Sequence, residues 1–140
     1  MYSSAQLALK YINYWIHASN GKGHGVHSPF VFELITNVFN NRASEPAFEQ
    51  IEAIRTALLS SGEVLQVEDF GAGSATGLRK QRTVQQIAAT SLKKPKYARL
   101  LYRLVEYFRP ATVLELGTSL GTTTLYLAKA QGSRSVITME

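Results

Sequence analysis

The sequence predicts an α/β fold: a doubly wound parallel sheet begun near the C-terminal end, preceded by an α-helical N-terminal region. Three observations carry this. Two short runs, VLEL at 113–116 and SVITM at 135–139, are apolar with little alternation, the pattern of strands covered on both faces. The segment between them opens on glycine and threonine and continues at helical spacing, as a crossover between parallel strands requires. Residues 1–62, by contrast, place their apolar side chains three and four apart.

The composition bounds what this fold can do. A chain of 140 residues with 45% hydrophobic and 18% charged residues suits one globular domain. It contains no cysteine, which excludes disulfides, thiolate catalysis and cysteine-based zinc sites. No apolar run approaches a membrane span of about 18 residues. The start, MYSSAQLALKYINYWIHASN, lacks the uninterrupted apolar core of a signal peptide, so a cytoplasmic protein without a membrane partner is expected. A net charge of +5 and a pI near 9.6 favour attraction to phosphates. The excess gathers in Arg79, Lys80, Arg82, Lys93, Lys94, Lys96, Arg99 and Arg103, which read either as a nucleic-acid-binding stretch or as a solvated helical face.

Taken in order, Leu7, Tyr11, Tyr14 or Trp15 and Ala18 form an aromatic-rich helical stripe, read as core packing or as a substrate-choosing cover. GKGHGVHSPF follows as a glycine-broken loop. Ser28 and Pro29 announce the next helix, a capping hydroxyl followed by the residue preset for the first helical position. That helix carries Phe30, Val31, Leu34, Ile35 and Val38; another, with Phe48, Ile51, Ile54, Ala57 and Leu58, is expected to close at Gly62. Residues 64–70 read as a strand running into GAGSATG, and residues 78–92 as an amphipathic helix through Leu78, Val84, Ile87 and Ala88. Tyr97, Leu100, Leu101, Leu104, Tyr107 and Phe108 mark a helix that Pro110 ends. Strand 113–116, a helix over 121–131 closed by Gly132, and strand 135–139 complete the chain. The organisation is then a helical cap region at 1–62, a glycine-loop connector and helix at 63–95, and the start of a ligand-binding domain at 96–140.

Two loops compete for that ligand, GAGSATG at 71–77 and GTSLG at 117–121. A strand that turns at glycine into a helix aims backbone N–H groups and a positive dipole end into one space. In a doubly wound sheet, an acid ending the next strand, roughly 20 residues on, accepts the ribose hydroxyls of a nucleoside. From Gly117 the helix, the strand and Glu140 follow at that spacing; from Gly73 or Gly77 the corresponding window is basic and helical. The second loop is therefore the nucleoside site. It has no G-x-G-x-x-G, and no G-x-x-x-x-G-K-[ST] occurs in the chain, which disfavours a nicotinamide oxidoreductase and a phosphate loop. Glu115, just before the turn, suits an amino group better than a phosphate. An adenosyl ligand bearing an amino acid fits these features.

VLELGTSLGTTTLYLA with VITME resembles the first motif and second strand of class I S-adenosylmethionine-dependent methyltransferases. The GTxxG flavour is similar to that of the O-methyltransferases related to catechol O-methyltransferase, and KYARLLYRLVEYFRP resembles the helix leading into their first strand. HSPFVFELI with DFGAGS further resembles a group of bacterial methyltransferase-like proteins. The resemblance implies a Rossmann-like fold, S-adenosyl-L-methionine as cofactor, and methyl transfer to a small-molecule acceptor. By it, Glu115 lies near the methionine part, Gly117 and Gly121 give backbone room, Thr118 and Ser119 line the turn, and Glu140 binds the ribose hydroxyls. It also implies that the fold is truncated after its second strand. Catalytic residues, the adenine-binding acid and any metal-binding aspartates are then expected beyond Glu140; the chain alone would bind cofactor poorly and transfer no methyl group. Exposed strands would favour self-association. The remaining readings are a loop role for His24 and His27 rather than metal ligation, a core or rim role for His17, and either a pocket or a turn role for Asp69 and GAGS.

Overall fold

A computed structural model describes residues 2–17, 25–40, 48–67, 81–130 and 135–140 of the chain. Two compact units are present, Met1–Ser44 and Glu45–Glu140.

In the first unit, α1 (Ser4–His17) forms where helical periodicity predicts it. None of its residues is buried, so the aromatic stripe of Leu7, Tyr11, Tyr14 and Trp15 is not core. His17 is likewise exposed, its Nδ1–H donating to the Asn13 carbonyl one turn back at 2.8 Å. The second helix, α2 (Pro29–Leu34), starts as the sequence announces: the Ser28 hydroxyl accepts the Val31 N–H, and Pro29 occupies the first turn. It continues into a π-helical turn, Ile35–Phe39, in which Val38 is buried. His24 and residues 18–23 lie outside the described residues, and His27 is exposed.

The second unit begins with α3 (Glu49–Ser60). Its end differs from expectation: the chain leaves the helix through Ser61 in extended geometry, and Gly62 supplies no left-handed cap. Strands β1 (Val64–Gln66) and β2 (Gln81–Thr83) pair antiparallel, Val64 opposite Thr83. Residues 81–83 are thus strand where the apolar spacing predicts helix. α4 (Val84–Ser91) starts only after Thr83, whose hydroxyl accepts the Gln86 N–H while the Gln86 side chain accepts the Thr83 N–H. That reciprocal T-x-x-Q box is a strong local start signal, and it overrides the longer amphipathic pattern.

α5 (Pro95–Phe108) has Pro95 in its first turn and stops at Arg109, which is left-handed, directly before Pro110. β3 (Thr112–Leu116), α6 (Thr122–Lys129) and β4 (Ser135–Met139) follow, and β3 and β4 are parallel, with Glu115 opposite Thr138. α6 closes through Ala130 in extended geometry; Gly132 lies outside the described residues. The core gathers Phe48 and Ile51 of the α3 region, Ala98, Tyr102 and Val105 of α5, and Tyr126, Leu127 and Ala130 of the α6 region. Val113 and Val136 pack against it from one face of the β3–β4 sheet. The other face carries Leu114, Leu116, Ile137 and Met139, all exposed, Leu116 to 74%. The alternation is the pleat acting on strands that are apolar on both sides: only one side meets helices.

Candidate functional site

The β3–α6–β4 unit brings its turn and both acids together. Gly117 and Gly121 have φ of 87° and 72°, a region that L side chains adopt only with strain, so both turn positions require glycine's freedom. Ser119 between them is also left-handed, φ 48°. The turn closes with the Gly121 N–H donating to the Thr118 carbonyl at 2.9 Å. Its first two N–H groups, of Gly117 and Thr118, both donate to the Met139 carbonyl at 2.8 and 3.2 Å. The Ser119 N–H donates to Glu140 Oε2 at 2.6 Å. Loop donors that would cradle a pyrophosphate elsewhere are therefore spent on the end of β4.

Glu115 faces the covered side of the sheet and is held by hydroxyls. Thr138, its register partner, donates to Glu115 Oε2 at 3.0 Å, and Thr124 donates to the same oxygen. Thr138 having spent its proton on Glu115, the contact between the Thr118 and Thr138 hydroxyls is donated by Thr118. A relay from Thr118 through Thr138 thus ends on one carboxylate oxygen. Among the described residues Oε1 has no partner. Gly121 occupies the cap position of α6 without a side-chain bond, Thr122 is buried, and the Thr124 hydroxyl is on Glu115.

A cavity of about 380 Å³ opens at this turn. Of the six residues singled out by sequence, Glu115, Gly117, Thr118 and Ser119 line it. Gly121, the cap of α6, and Glu140 are not among the lining residues; Glu140 meets the turn through the Ser119 N–H. The rest of the lining has no signal in the local sequence pattern. It includes Ser91 at the end of α4, Leu92 and Lys93 just after it, and Leu101 and Leu104 of α5. The Ser119 hydroxyl donates across to Ser91 Oγ at 2.8 Å, and Ser91 in turn donates to the Ile87 carbonyl at 2.8 Å. These contacts join positions 28 apart, a separation no local pattern reveals.

The rival loop falls on residues 68–80, outside the described residues, as do Asp69, Arg79 and Lys80. The strands on either side of it pair antiparallel, whereas a doubly wound nucleoside loop leads to a parallel neighbour. The described members of the basic stretch lie in different surroundings. Lys93, Lys94 and Lys96 are exposed, Arg82 donates to the Thr90 hydroxyl, and the Arg99 guanidinium lies 5.5 Å from the Phe48 ring centre. Tyr102 is buried while Tyr97 and Tyr107 are exposed, so the three offer no common stacking surface.

A second polar cluster sits inside the unit. Tyr126, fully buried, donates its O–H to Glu52, which also accepts Arg55 Nε at 3.2–3.3 Å. Burial pushes the Tyr126 phenol above its ordinary value; Glu52 adds to the rise and Arg99 partly opposes it. Among the described residues no group of three or more His, Asp or Glu side chains could hold a metal, and no helix is long and apolar enough to cross a membrane. No protein-family model matches the chain, and no curated protein or solved structure matches it at a significant level.

Proposed function

We propose that this chain supplies the S-adenosyl-L-methionine-binding unit of a class I methyltransferase acting on a small-molecule acceptor. One observation carries the reading. A parallel strand–turn–helix–strand unit sets Glu115 and Glu140 on either side of a turn whose first N–H groups are occupied by its own sheet. A phosphate-bearing dinucleotide needs those N–H groups; an adenosyl amino acid does not.

The residues fit such a ligand at both ends. Glu115 Oε1 is open to an ammonium group while Oε2 is locked by two threonine hydroxyls, so the carboxylate is oriented before the ligand arrives. Glu140 rests on the Ser119 N–H and has acceptor capacity left for ribose hydroxyls. The apolar side chains of Leu92, Leu101 and Leu104 offer a surface for the uncharged part of the ligand. When bound, the cofactor supplies an electrophilic sulfonium methyl group; these residues hold and orient it. Calorimetric titration with S-adenosylhomocysteine, with NAD as control, tests the reading. Saturable binding of the former alone, weakened about tenfold or more by Glu140→Ala, is expected, since that change removes a charged acceptor. Binding of NAD instead would refute it.

A further inference from the structure

The cavity is bipolar. Among its described lining residues only Glu115 and Lys93 carry charge, and they come from different elements, β3 and the segment between α4 and α5. Glu115 is part-buried, whereas Lys93 is exposed and makes no ion pair among the described residues. Several neutral donors nearby are committed, while the hydroxyls of Thr122 and Thr123 also line the cavity. Thr118 serves Thr138, Ser119 serves Ser91 through its hydroxyl and Glu140 through its N–H, and Ser91 serves the Ile87 carbonyl. A ligand carboxylate entering here meets one cationic side chain among the described lining residues, that of Lys93.

We infer that Lys93 is a specificity-determining residue that takes the carboxylate of the ligand's amino-acid end, opposite the ammonium group held by Glu115. This rests on the adenosyl-ligand reading above and adds to it a selection rule: ligands keeping both charges are favoured over the same nucleoside without them. The geometry suits the roles. The inner acid, oriented by hydroxyls, faces the group it neutralises, while the exposed lysine meets the carboxylate at the rim, where long flexible reach matters more than preorganisation. Water screens a rim contact, so its effect is modest.

Titration of the full chain with S-adenosylhomocysteine and with 5′-methylthioadenosine, which keeps the nucleoside and thioether but has no amino acid, tests this. Lys93→Ala should weaken S-adenosylhomocysteine about three- to tenfold, from one charge-assisted contact near the surface. It should leave methylthioadenosine unchanged, and Lys94→Ala, one residue along and outside the cavity lining, should alter neither. Added salt should shrink the Lys93 effect. An S-adenosylhomocysteine affinity untouched by Lys93→Ala, or an equal loss for both ligands, would overturn the inference while the adenosyl reading stands. Failure of the unmodified chain to bind either ligand would remove both.

Discussion

Tyr126→Phe isolates one buried interaction without disturbing packing. The Tyr126 ring lies 4.6 Å from the Phe48 ring centre, and Phe48 meets Tyr102 edge-on at 5.2 Å; phenylalanine keeps these contacts and leaves almost no cavity. What goes is an O–H donor to a carboxylate, worth about 1.5–3 kcal/mol when the acceptor is charged. Glu52 would still accept Arg55 Nε, so it is not orphaned, and the lower half of that range applies. About 2 kcal/mol corresponds to a drop in Tm of roughly 10 °C for a unit of this size. Urea unfolding of the wild type, Tyr126→Phe, Glu52→Gln and the double variant should show coupling above about 1 kcal/mol between the two positions. The bond also has a pH signature. The folded phenol is held above its ordinary value, so the unfolded chain loses that proton first. The stabilisation is complete below about pH 10 and declines as pH rises past it. The wild type's advantage over Tyr126→Phe should therefore shrink in alkali. A variant within about 0.5 kcal/mol of wild type at neutral pH, or a gap that widens above pH 10, would refute the reasoning.

Two further outcomes follow from the sheet and its turn. Gly121→Ala meets no atom that would clash, yet places a side chain at φ 72°; it should cost about 1–2 kcal/mol in urea unfolding with no change in secondary structure. The uncovered face of β3 and β4 should drive self-association. Leu116→Lys with Ile137→Lys is expected to lower the apparent mass in sedimentation at high protein concentration, whereas unchanged sedimentation would mean that this face is not an association surface.

Local signals were legible wherever the determinant lay within a turn of helix or along one strand. Ser28 and Pro29 begin α2, Pro110 follows the last residues of α5, and the apolar runs before GTSLG and Glu140 are strands. The same local grammar contained the Thr83–Gln86 box, but the amphipathic pattern around it pointed to a longer helix; residues 81–83 became strand because β1 offered a partner. Burial was harder to read, since an apolar stripe states only what could be covered. The stripe on α1 is exposed, and β3 and β4 are covered on one face of two.

By itself the sequence determined the spacing from Glu115 through the glycine turn to Glu140, because strand and helix lengths follow from periodicity and φ demands follow from glycine. Tertiary structure alone decided the parallel register that sets Thr138 beside Glu115, the meeting of Ser91 with Ser119, and the pairing of Tyr126 with Glu52 across 74 positions. Each is a choice among many compatible hydroxyls and carboxylates. It is resolved by which helices pack together, a collective outcome of burial rather than a property of any short stretch.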